Sequence, residues 1–64
     1  MRTMWYIFQT KDGYEDSRPS CPSKKDIESV NGLVSTLVKR TSRYDKKHNL
    51  ISQETIPTKP RGVR

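Results

Sequence analysis

The chain reads as a single small α+β domain, and three features carry that reading. An aromatic and β-branched run stands at Met4-Trp5-Tyr6-Ile7-Phe8, an Asp12-Gly13 pair follows it, and from Ile27 apolar residues recur at steps of three and four. The first two predict a β-hairpin, because Asp-Gly tolerates the positive φ of a tight hairpin turn. The third predicts one amphipathic helix packed across that hairpin. A short third strand and a disordered basic tail complete the expectation, with the domain at 1–56 and the tail at 57–64.

Residues 3–9 suit a strand, with Met4, Tyr6 and Phe8 on one face and Trp5 and Ile7 on the other. A strand apolar on both faces wants cover on both. The helix supplies one cover, which leaves Trp5 and Ile7 for a protein partner. The return strand Tyr14-Glu15-Asp16-Ser17 is poor in apolar residues, and its acids suit a sheet edge. Pro19 and Pro22 then stiffen a connector that no strand crosses.

Ser23 is a natural N-cap, with Asp26 three residues on in a short-armed capping box. The apolar steps Ile27, Val30, Leu33/Val34, Leu37/Val38, Thr41 and Tyr44 predict a helix from about Lys24 to Tyr44. Gly32 would then sit mid-helix, at a cost of roughly 1 kcal/mol relative to Ala. Close packing on the aromatic strand accounts for it, and so does a helix–helix contact across a dimer through Gly32 and Thr36. Leu50 to Ile56, stopped by Pro57, is the expected third strand.

With 64 residues there is room for one domain, and at 30% hydrophobic residues its core is thin. Small domains compensate with disulfides, a metal or a second subunit. Cys21 is the only cysteine and His48 the only histidine, so neither an intrachain disulfide nor a four-ligand zinc site can form. A homodimer is therefore expected, and no cofactor. No apolar run approaches the length of a membrane helix and no signal-peptide pattern opens the chain, which makes the cytoplasm the default location.

Charge is unevenly placed. Basic and acidic residues cancel over 1–38, whereas 39–64 hold eight Lys/Arg against Asp45 and Glu54, so the whole surplus of +6 lies there. On the expected helix, Lys39, Arg40, Arg43, Lys46 and Lys47 form a basic C-terminal face, with Lys59 and Arg61 following in the tail. Several cations on one surface are what a polyanion needs, since binding releases its counterions.

Catalytic alternatives are weak. Cys21 and His48 are the only thiol–imidazole candidates, and nothing in the sequence joins them. A toxin-type ribonuclease would use His48 with Glu54 or Tyr44. Asp12, Glu15 and Asp16 cluster at a turn without matching acids, and Gly13, Gly32 and Gly62 are too dispersed for a phosphate loop. Trp5, Tyr6 and Phe8 could stack on bases, but a core this small needs them for packing.

The order strand, Asp12-Gly13 turn, strand and Ser23-to-Asp26 helix start looks loosely like the arm-binding domain of phage-type integrases. With Pro19 and Cys21 before the helix, it is also similar to antitoxins with a partial double-stranded-RNA-binding fold. Each likeness spans about residues 5–38 and rests on turn and cap chemistry that unrelated proteins share, so neither assigns a family. The expected function is a small non-enzymatic regulatory protein binding DNA or RNA through its basic residues. The alternative is a protein-binding regulator or inhibitor of the mobile-element type, acting through Trp5, Ile7, Gly32 and Thr36.

Overall fold

The computed structural model of the protein describes residues 1–62; Val63 and Arg64, the end of the expected tail, lie outside them. Four strands, β1 (Arg2–Gln9), β2 (Glu15–Arg18), β3 (Val38–Tyr44) and β4 (Leu50–Pro57), form one antiparallel sheet in the order β2-β1-β3-β4. Between β2 and β3 come a short helix, α1 (Lys24–Ser29), and a single 3-10 turn at Val34–Thr36. The fold is broadly α+β, as expected, but it is mostly strand.

The first hairpin forms where the sequence places it. Gly13 takes φ +87° at the turn, where the open space around it leaves backbone conformation as its only requirement. The Thr10 and Gly13 amides donate to Tyr14 O and Thr10 O at 2.7 and 3.0 Å and close the turn. The capping box also forms: Ser23 Oγ accepts from the Asp26 amide at 3.2 Å, and Asp26 Oδ2 accepts from the Ser23 amide at 3.1 Å.

The long helix does not form, and its stop signal is specific. Asn31 adopts the left-handed conformation at φ 59°, its amide donates to Glu28 O at 3.1 Å, and the Gly32 amide donates to Ile27 O at 2.8 Å. This pair of bonds is a Schellman motif, which satisfies the orphan carbonyls of a helix end. Past it, Val38-Lys39-Arg40-Thr41-Ser42-Arg43-Tyr44 pairs as β3, the strand beside β1. Its Val and Thr favour the pleated form. Gly32 is thus a residue just past a helix end, and no helix runs through Gly32 and Thr36 to make an intersubunit helix contact. The close approach to the aromatic strand is present: a Cβ on Gly32 would stand 2.6 Å from Phe8 Cε2 and 2.5 Å from Ile27 Cγ2. Thr36 is used internally, its hydroxyl accepting from the Gln9 amide at 2.8 Å and donating to Leu33 O at 2.7 Å.

Phe8, Ile27 and Leu37 are the buried core, with Tyr6 and Val34 packed against it and the Arg18 guanidinium 5.7 Å from the centre of the Phe8 ring. The expected tail is also corrected as far as Gly62. The Thr58 amide donates to Leu37 O at 3.2 Å, Pro60 is buried, and the Arg61 amide donates to Pro22 O at 2.8 Å. Residues 58–61 form a strap from the end of β4 back to the start of α1.

The result is thin and open, with extents of 37 × 27 × 15 Å and a radius of gyration of 12.8 Å, where a compact chain of this length has about 10.7 Å. Its accessible surface of 5049 Å² exceeds the roughly 4,200 Å² of an ordinary monomer of this mass. No helix among the described residues is long and apolar enough to cross a membrane.

A candidate basic surface on the open half of the sheet

Residues directly opposite one another in an antiparallel sheet share a face, so the register sorts the side chains. Phe8 points to the α1 side, and by alternation so do Tyr6, Met4 and Arg2 of β1. Pairing of Tyr6 with Lys39, Met4 with Thr41 and Arg2 with Arg43 puts those β3 residues on that side too. Helix α1 covers only the Phe8 end. The other end of this face carries Arg2, Lys39 and Arg43 around the exposed Met4, and Arg2 and Arg43 line one shallow hollow with Thr41 and Glu54.

The expected cluster is therefore divided. Lys39 and Arg43 lie on the α1 side, whereas Arg40, opposite Trp5, lies on the bare side. There Arg40 Nε donates to Thr55 Oγ1 at 3.4 Å, and Nη1 stands 3.9 Å from Glu15 Oε1. Lys46 and Lys47 sit at the tip of the β3–β4 hairpin, next to the Arg2–Arg43 end. Lys59 and Arg61 lie past the other end of β4, which at eight residues separates them from the tip by roughly 25 Å. A period of 3.6 merged Lys39, Arg40 and Arg43 into one face; the period of 2 that applies sends Arg40 to the other side.

Arg2 is the residue that sequence reasoning missed. The alternation that pairs Met4 with Tyr6 and Phe8 already placed it on their face, but only the β1–β3 register brings it to Arg43. Two arginines stand directly opposite each other, and among the described residues Arg2, Lys39 and Arg43 take part in no ion pair. Like charges so placed destabilise a sheet. Glu54, opposite Thr41, is the one acid on this part of the face.

The hairpin tip is a well-bonded turn. Asp45 Oδ1 accepts from the amides of Lys47 at 2.8 Å and Asn49 at 2.9 Å, and the His48 amide donates to Asp45 O at 3.1 Å with His48 at φ 64°. The Asn49 amide is the main reason that the Asp45 carboxyl is held below its usual pKa. The Ser23 amide does the same for Asp26, and the Arg18 side chain for Asp16.

Of the residues expected at a protein interface, Trp5 and Ile7 lie on the bare side, away from α1. Ile7 is buried there, while Trp5 remains 44% exposed. Gly32 is buried against Phe8 and Ile27, whereas Thr36 is half-buried and lines a shallow hollow with Ile7, Val38 and Arg40 of the bare side. Cys21 Sγ lies 3.6 Å from Lys59 O, so the thiol and the His48 ring stand at opposite ends of β4 and do not pair. Among the described residues no three His, Cys, Asp or Glu side chains gather to hold a metal. No family model, no curated protein and no solved structure matches the chain.

Proposed function

We propose that the protein is a small regulatory protein that binds nucleic acid through the open, α1-side face of its sheet, using Arg2, Lys39 and Arg43 with Lys46 and Lys47 at the hairpin tip. One observation carries this reading: Arg2 faces Arg43 across the central strands, and among the described residues neither takes part in an ion pair, with Glu54 the single acid lining their hollow. Such an arginine pair costs stability in the free protein, and a phosphate backbone lying along the face removes that cost. Met4, two residues along β1 from Arg2, offers an apolar contact beside them.

Counterion release makes the test quantitative. With five phosphate contacts, the logarithm of the duplex-DNA binding constant falls against the logarithm of salt with a slope between about −4 and −5. Replacing Arg43 with Gln lowers that slope by about 1, and so does Arg2→Gln. Lys59→Gln and Arg61→Gln leave it unchanged, because those residues lie at the far end of β4. Binding that is insensitive to salt, or lost only with the Lys59 and Arg61 replacements, defeats the assignment.

Exposed Trp5 favours a second reading, a protein-binding regulator acting through the bare face. Capture of a partner that Trp5→Ala abolishes and Arg2→Gln spares distinguishes it.

A further inference from the structure

We propose that β4 is the seam of a homodimer, in which a second copy of this chain pairs antiparallel with its free edge about a two-fold axis at Gln53. The inference is independent of the nucleic-acid reading. The sheet ends in two outer strands that are built differently. β2 is four residues long and three of them, Glu15, Asp16 and Arg18, are charged, which discourages pairing with another chain. β4 is eight residues long, Glu54 is its only charge, and its one proline closes the strand. All eight residues are exposed. A long edge with so little charge is a template for a further strand.

The edge is complementary to itself. Its apolar side chains lie at both ends, Leu50 and Ile51 at one and Ile56 at the other, with exposures of 54%, 65% and 47%. Polar Ser52, Gln53, Glu54 and Thr55 lie between them. Antiparallel self-pairing sets the Leu50–Ile51 end of each copy against the Ile56 end of the other, and the symmetry makes this contact twice. A foreign strand would have to reproduce that spacing, whereas a second copy carries it.

The ladder selects the register. Thr58 is opposite Leu37 and its amide bonds to Leu37 O, so by alternation Ile56, Glu54 and Ser52 turn their backbone groups toward β3. Gln53 and Thr55 present theirs to the outside. Ile51 is skipped by the β3 ladder at a bulge, which leaves its backbone free of β3. With Gln53 on the axis, the Leu50–Ile51 end of the partner comes against Ile56. It is Ile51, which lines the Arg2–Arg43 hollow, that shares the α1 side with Ile56, while Leu50, opposite Tyr44, lies on the bare side. Centring on Glu54 instead would oppose two carboxylates and place Pro57, which has no N–H, in the ladder. The two-fold is perpendicular to the sheet, so the dimer is one eight-stranded sheet with both helices on the same side.

Mass and cross-linking test this together. Sedimentation of the unmodified chain from micromolar to millimolar concentration should reach twice the 7.5 kDa chain mass. In a Cys21→Ser background, Gln53→Cys should form an intersubunit disulfide under mild oxidation, since paired Cα atoms on the axis lie about 5.5 Å apart. Thr55→Cys should not, because the two Thr55 positions are about 13 Å apart along the strands. A chain that stays monomeric throughout overturns the proposal. So does a dimer in which Gln53→Cys fails to cross-link while circular dichroism shows it folded, or in which Thr55→Cys cross-links equally well.

Discussion

At the β2 end of the sheet, Phe8, Ile27 and Leu37 are shut away from water beneath a helix, a 3-10 turn and the 58–61 strap. At the β4 end, none of the eight residues of the outer strand is buried, and the hairpin rests on its ladder and on the Asp45 turn. The first region is ordered by burial and the second by backbone bonding. The covered end supplies the stability, and in the proposed function the charged, edge-exposed end makes the contacts.

The comparison is broken most severely at Phe8. Phe8→Ala should cost about 3–5 kcal/mol, enough to unfold so small a domain, as chemical denaturation would show. An equally small loss there and at Ile56 would mean that the two ends do not differ. Gly32→Ala should be next, at about 1–3 kcal/mol, because one of the atoms its Cβ meets is the Ile27 carbonyl oxygen at 2.7 Å, which cannot rotate aside.

Acid sharpens the contrast, because both regions contain a carboxylate bonded to backbone amides. Asp26 in the capping box and Asp45 in the hairpin turn each have a folded pKa below the ordinary value. Their stabilisation is complete above the unfolded pKa near about 3.9 and is lost as pH falls through the lowered folded value. An acid titration followed by circular dichroism should show this loss, and Asp45→Asn should flatten it. The smallest effect has the opposite sign. Arg43→Gln relieves the pair with Arg2 and should stabilise the fold by about 0.2–1 kcal/mol at low ionic strength, an advantage that salt reduces.

Local chemistry was legible in the sequence, and long-range placement was not. The Asp12-Gly13 hairpin, the Ser23–Asp26 box and a strand at Leu50–Ile56 depend on neighbouring residues, and all three form. The helix was over-extended because Leu33, Leu37 and Val38 continue the spacing of Ile27 and Val30, while the Asn31-Gly32 stop is two residues long. The same error placed Lys39, Arg40 and Arg43 on one face. Arg2 could not be linked to Arg43 without the pairing of β1 with β3, which no local pattern specifies. The strap was missed because Pro57, Lys59, Pro60 and Arg61 have the composition of an unstructured tail, and only the carbonyls of Leu37 and Pro22 tie it down.

The central β1–β3 pairing has a consequence for how the chain reaches its structure. Its two flanking hairpins join near neighbours, each able to close in about 1–10 μs. Arg2 and Arg43, in contrast, must find one another across most of the chain, and the entropy of that closure is lost before the core rewards it. The β1–β3 join is thus the contact of highest closure cost in the sheet. Replacements along that join should slow refolding, whereas changes at the outer strands should mainly hasten unfolding.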